Sequence, residues 1–380
     1  MPASEAAAGS AEVSGPEGSG RRRSGLRAAV VAALVMVVAM VAVVVWNPFG
    51  TKERPLRVES TQDIGALNEP EGWFRDGSQS APLDGRLVWV FGDTLFATPA
   101  ADGKQARSNT GAWSDPAAPL ELHDPKDADG LPVQLIPFDE LEAAYNDLSG
   151  KPDDRIAVWP GSIVPQDDGT AAVFFEVVKV SPGLLNYSVL GSGLAAMTRD
   201  ALSGGRDPNL LFHAPEPAFH NGAVEVGGSL YVHGCAQIEG FRFGCRLARV
   251  PSNDLHDRSA YTFWDGEGWS RDYKSAAFTL EGPADNVTVS FNEWLGSYLA
   301  VYSKPLTNQV VMRTAPAPQG PWSEEVTAFS GLPPPPDSLN YGGFEHPELS
   351  RDGGRTIVIS YFHPLGPLQG EIRLVEVRLY

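Results

Sequence analysis

The chain has 380 residues, with 29 Lys or Arg against 47 Asp or Glu, and its net charge of −18 excludes the clustered basic surface that grips nucleic-acid backbones. Apolar residues make up 42% of it, enough for a packed core and too many for wholesale disorder. With 40 Gly and 32 Pro, turns between short elements must be frequent and long-helix architectures are excluded, while two Cys are too few for a disulfide scaffold or a four-thiolate zinc site.

Residues 1–25 are mostly Ala, Gly, Ser, Pro and Glu, with too little apolar surface to fold alone, and read as a disordered cytoplasmic tail. From Ala28 to Trp46 there follow 19 residues without a charge or a Pro. At about 1.5 Å per residue such a helix spans roughly 28 Å, close to the hydrocarbon thickness of a bilayer. The spacing predicts one transmembrane signal-anchor helix over 26–46; a cleaved signal peptide is the alternative, with a shorter apolar stretch and a small-residue end. Arg21, Arg22, Arg23 and Arg27 crowd the N-terminal flank, so the tail is expected in the cytoplasm and everything beyond a linker at 47–59 outside it. The expected location is therefore a single-pass protein of the cell membrane with an acidic extracytoplasmic domain over 60–380. In that oxidising setting Cys235 and Cys245, ten apart around a Gly-rich turn, are expected to form a disulfide, two reduced buried thiols being the alternative.

After Pro55 no convincing amphipathic helix is read, whereas short runs rich in Val, Ile, Tyr, Phe and Trp recur between Gly, Pro, Asn and Asp clusters. Leu87 to Phe96 reads as a strand, as does Ile156 to Val164, and Ala171 to Val180 with Tyr187 to Thr198 reads as a hairpin. Three later segments repeat one pattern of strand, tight turn, strand, loop, strand, at Gly222 to Val250, Val287 to Thr314 and from His346 to the end. The points just before their inner strands fall near His220, Asn286 and Glu345, 66 and 59 residues apart. Helix-free units of this period are those of propeller blades. Counting back, Trp159 opens a fourth unit and Asp76 a fifth, with a Pro- and Asp-rich insertion between about 97 and 154. The expected fold is thus all-β, a five-bladed β-propeller, with a two-sheet sandwich as the alternative.

Inner strands line a propeller's channel, so Asp76, Trp159, His220, Asn286 and Glu345 should converge on one mouth. Asp93, in Phe91-Gly92-Asp93-Thr94, is one hairpin away from Asp76, and two carboxylates on neighbouring strands form a candidate acid/base pair. The plainer reading makes Asp93 a turn residue bonded to its own backbone. Glu345 is the third candidate carboxyl, able to replace either or to tune it, and a strand-start ion pair is its plainer role. His220, His346 and Asn286 are candidates for bonding sugar hydroxyls, and Trp73, Trp159 and Tyr341 for stacking on sugar faces. His233, inside Leu230-Tyr231-Val232-His233-Gly234, reads as a core histidine.

The segments RDGSQS (Arg75 to Ser80), GRLVWVFGDT (Gly85 to Thr94), NVTVSFNEWLGSYLAVYS (Asn286 to Ser303), RTAPAPQGPWSE (Arg313 to Glu324) and YGGFEHPELS (Tyr341 to Ser350) resemble the domain-of-unknown-function 4185 family over most of residues 60–380. Members with assigned activity form glycoside hydrolase family 183, five-bladed propellers that act as endo-D-arabinanases on mycobacterial-type cell-wall arabinan. The resemblance implies that the Asp residues of RDG and GDT, here Asp76 and Asp93, are the catalytic pair. Where the family often has Asp-Gly-Gly, this chain has Asp76-Gly77-Ser78.

Hydrolysis of a furanoside needs one protonated carboxyl and one carboxylate, about 6.5–9.5 Å apart for the inverting outcome expected here and about 5–5.5 Å for a retaining one. No GxSxG elbow, HExxH pair, phosphate loop or dinucleotide glycine pattern is present. The expected function is therefore a membrane-anchored, endo-acting arabinofuranosidase on cell-wall polysaccharide. It needs no organic cofactor, though clustered acids would suit a structural or channel Ca²⁺, and it is expected to act as a monomer. A propeller that binds wall glycan or a protein partner without catalysis is the alternative.

Overall fold

In the computed structural model, residues 53–100, 103–183, 186–367 and 369–380 are described. The predicted anchor at 26–46 lies outside the described residues, as does the tail, and among the described residues no helix is long and apolar enough to cross a membrane.

The described residues form a mostly β, propeller-like fold built of five larger antiparallel sheets in chain order, with a sixth, small sheet of Trp73–Arg75, Thr94–Phe96 and Ala106–Arg107. The first sheet runs from Gln79–Leu83 through Arg86–Phe91 and Thr110–Asp115 to Ala118–His123. The second starts with Arg155–Pro165 and Thr170–Val180, the third with Asn221–Val226 and Ser229–Glu239, and the fourth with Thr288–Asn292 and Ser297–Ser303. The fifth pairs Tyr341–Glu345, Thr356–Gly366 and Gln369–Leu379 with the N-terminal strand Val58–Ala66, which thus begins two residues before the expected boundary at 60. Ser80 and Ser78 of the first sheet bond to His346 and Ser360 of the fifth, closing the ring.

Five separate apolar clusters, each lying between two neighbouring sheets, replace the single slab that a sandwich would bury. The run Ala171 to Phe175 shows why its sequence is continuously apolar. Successive side chains on a strand point to opposite faces, so Val173 and Phe175 pack towards the first sheet while Ala172 and Phe174 pack towards the third. Cys235 and Cys245 face each other across the second and third strands of the third sheet and are joined in a disulfide.

One expectation is corrected within the insertion, where a helix runs from Glu140 to Ser149. Its start is a capping box: Asp139 accepts from the Glu142 backbone N–H and Glu142 accepts from that of Asp139. Gly150 ends it in a left-handed conformation. Arg206 of the second sheet clasps Glu142 through both carboxylate oxygens, at 2.6 and 2.8 Å, tying the helix down.

Candidate active site

Asp76 stands at the turn from the short strand Trp73–Arg75 into the first strand of the first sheet. Trp73–Arg75 pairs with Thr94–Phe96, and at the end of this ladder Gly92 and Asp93 together oppose Asp76: Asp76 N–H donates to the Asp93 carbonyl at 3.3 Å and Gly92 N–H to the Asp76 carbonyl at 2.7 Å. Such two-against-one bulges re-aim side chains. Gly77 makes the turn at φ +67°, and Gly92 leaves room for the acid, since a Cβ there would lie 2.5 Å from Asp76 Oδ1. The spacing of Gly-Asp-Thr is therefore a steric requirement of the Asp76 carboxyl.

Each carboxyl has a different partner from another sheet. Tyr341, first residue of the fifth sheet's inner strand, donates its hydroxyl to Asp76 Oδ2 at 2.8 Å. Arg155, first residue of the second sheet's inner strand, donates Nη2 to Asp93 Oδ2 in an ion pair. Asp93 Oδ1 is buried with no hydrogen-bond partner among the described residues. Burial, and next the Asp93 charge, push Asp76 up to about 7 against the opposing pull of the Tyr341 bond and of Arg155. Burial and the Asp76 charge also raise the Tyr341 hydroxyl, so it stays a donor. One carboxyl protonated near neutrality beside one held by a guanidinium is the asymmetry acid/base chemistry requires.

Of the other expected residues, some reach this region and some do not. Trp159 lies four residues beyond Arg155 on the same strand, half-buried, its ring centroid 5.2 Å from that of Tyr187 in an edge contact. Asn286 is half-buried, two residues before the fourth sheet's inner strand.

Three expected sugar contacts are corrected by burial. Trp73, 7% exposed, packs against Phe96 beside Arg75. His346, 0% exposed, is held between Ser80 and Ser360. His220, 3% exposed, bonds the Ala218 carbonyl through Nδ1 and Asn221 through Nε2.

Glu345 is corrected in position: it is the last residue of its inner strand, not a residue before it. At about 3.3 Å per residue this puts it roughly 13 Å along the strand from Tyr341. Its carboxylate accepts from Ser290 at 2.7 Å and borders a separate cavity of about 330 Å³ lined also by Asn292, Arg351 and Asp352. Burial pushes its carboxyl up to about 7, with the Ser290 bond opposing. His233 is a core histidine, fully buried and bonded to the Gly222 carbonyl.

Arg155 was not legible beforehand; a lone Arg opening an apolar strand was its only signal. Glu176 was missed too, although a single acid inside Thr170–Val180, otherwise apolar around it, is a visible anomaly.

The fold is propeller-like, with two carboxyls from one end of its first sheet set side by side. A Bacteroides ovatus protein provisionally described as a hydrolase superposes with a TM-score of 0.55 at 17% identity, covering 83% of this chain and 87% of its own. The RS223 β-xylosidase does so at 0.51 and 12% identity, covering 81% and 95%. In sequence, notoamide biosynthesis cluster protein J' of Aspergillus versicolor is 26% identical over 283 residues, 70% of this chain and 73% of that protein. Residues 199–364 match the model of the domain of unknown function 4185 family. The matched stretch contains His220, Asp285, Tyr341 and Glu345 and lies downstream of Asp76 and Asp93.

Proposed function

We propose that this chain is a membrane-anchored, extracytoplasmic glycoside hydrolase, a five-bladed propeller that cuts internal arabinofuranosyl linkages of a cell-wall arabinan with Asp76 and Asp93 as its catalytic pair. The observation that carries the reading is the placement of Asp93 opposite Asp76, with Arg155 on the first carboxyl and Tyr341 on the second. The resemblance of the RDG and FGDT segments to endo-D-arabinanases supports the substrate class.

Asp76, protonated, gives its proton to the glycosidic oxygen as the bond to the anomeric carbon breaks. Asp93, ionised, takes a proton from the water whose oxygen attacks that carbon, and on product release it gives that proton to solvent while Asp76 takes one up, restoring both carboxyls. Trp159 and Tyr341 offer ring faces to the sugars on either side, and the reaction needs no organic cofactor. The domain acts as a monomer outside the membrane, tethered by the apolar run at 26–46.

The test is incubation of the purified full chain with arabinogalactan and with unrelated glycans. Released arabino-oligosaccharides are expected from the first only. Binding of arabinogalactan without any product would replace catalysis with a glycan-binding role, and products from another glycan alone would change the substrate.

A further inference from the structure

In a second cluster, three sheets each contribute one chemically active side chain. Glu176 comes from the second strand of the second sheet, His220 from the residue before the third sheet, and Asp285 from just before the fourth. His220 Nε2 lies 3.9 Å from Glu176 Oε2 and 3.9 Å from Asp285 Oδ1, and one donor atom from each residue falls within 4.8 Å of the other two. These separations are too long for hydrogen bonds. Glu176 is 2% exposed, and its Oε1 is buried with no hydrogen-bond partner among the described residues. A carboxylate so buried without a donor is costly. The charge acting on it is that of Asp285, so the neighbour compounds the cost. Burial likewise raises Asp285 and lowers His220, leaving the imidazole neutral.

The surrounding bonds fix which imidazole nitrogen faces the acids. Nδ1 lies 3.0 Å from the Ala218 carbonyl and so carries the proton, which leaves the Nε2 lone pair pointing inward. Asn221 Nδ2 donates to Nε2 at 2.8 Å and to the Asp285 carbonyl at 3.1 Å, while its Oδ1 accepts from Gln79. Two carboxylates and one neutral imidazole, whose Nε2 lone pair now accepts the Asn221 N–H, form a divalent-cation donor set whose charges a dication cancels. Donor atoms 3.9 Å apart subtend about 110° at an ion about 2.4 Å from each, the Ca²⁺ bond length, and about 140° at the shorter bonds of Zn²⁺.

We propose that Glu176, His220 and Asp285 form a binding site for one divalent cation of Ca²⁺ to Mn²⁺ size, which joins the second, third and fourth sheets. The ion takes the Nε2 lone pair in place of the Asn221 N–H.

The experiment uses the full chain, stripped with a chelator and titrated with Ca²⁺, Mn²⁺ or Zn²⁺ by calorimetry, with thermal unfolding in parallel. One Ca²⁺ or Mn²⁺ per chain is expected, and at a hundredfold excess over Kd a rise in Tm of about 4 °C. Asp285→Asn and Glu176→Gln should each weaken binding at least about tenfold, as loss of one charged ligand does. In chelator both variants should melt no lower than the parent, because each removes a buried like charge. A parent chain that binds neither Ca²⁺ nor Mn²⁺ overturns the site, as do variants that bind as tightly as the parent. If one variant fails to fold, the parent titration and the other variant decide.

Discussion

Tyr341 and Asp76 are 265 residues apart in the chain, yet the Tyr341 hydroxyl donates to Asp76 Oδ2 at 2.8 Å, joining the inner strand of the last sheet to the entrance of the first. The bond favours the ionised form of Asp76, against burial and the Asp93 charge, which favour the protonated form and prevail. Replacing Tyr341 by Phe removes that opposition, so the Asp76 pKa rises above about 7. If Asp76 acts as the acid, activity is lost as pH climbs through its pKa. The alkaline limb of kcat/KM should then move to higher pH in Tyr341→Phe, and an unmoved limb would detach Asp76 from the acid role.

Arg155 is ion-paired with the other carboxyl. In Arg155→Gln that carboxyl loses the partner that holds it in place, and kcat should fall at least about tenfold. Asp76→Asn and Asp93→Asn should each lower kcat by at least about a hundredfold, the usual scale for a lost acid or base. Full turnover in either on a confirmed substrate would remove the pair from catalysis.

Gly92 offers a steric test of the same carboxyl. A methyl group there would lie 2.5 Å from Asp76 Oδ1 and would displace the acid without touching its chemistry. A displacement near 1 Å costs about a hundredfold in well-oriented reactions, so Gly92→Ala should lose most of its turnover while folding normally. Retained activity, measured beside an unchanged circular dichroism spectrum, would show that the acid does not act from this position.

Glu345 tests stability rather than turnover. Its folded pKa is pushed up to about 7 from an ordinary 4.5, so between those values the folded state holds more protons than the unfolded one. Stability therefore falls as pH rises through that window and levels off above it. Glu345→Gln should flatten the slope and raise Tm at pH 8 by about 2–4 °C, with turnover close to that of the parent. A variant that instead loses turnover a hundredfold would return Glu345 to the catalytic set.

The five-sheet plan was legible because tight Gly turns and apolar strands repeat at near-constant spacing, as in Val287 to Thr314 and the final segment. Asp76 and Asp93 were singled out by the resemblance of the RDG and GDT segments, since Gly77 and Gly92 alone suit plain turns as well. The helix at Glu140–Ser149 was passed over because its core-facing side is thin; the capping box Asp139 to Glu142 was its readable sign. Arg155, Glu176 and Asp285 were hidden for another reason. Their roles arise between sheets, from partners 44 to 109 residues away in sequence, and strand periodicity carries no information about that pairing. His220 and His346 misled because a polar side chain near a strand start can turn into the wall between sheets as readily as into the mouth.

The N-terminal strand Val58–Ala66 lies beside Gln369–Leu379, the last strand of the chain, with Val58 opposite Leu379. The fifth sheet therefore cannot assemble until residues 369–379 have been made, about 300 residues after its outermost strand. During synthesis the early strand keeps an unpaired edge, a feature that invites association with other chains. Four sheets can form in order as they appear, and the final pairing, between the two most distant parts of the chain, turns an open arc into a ring.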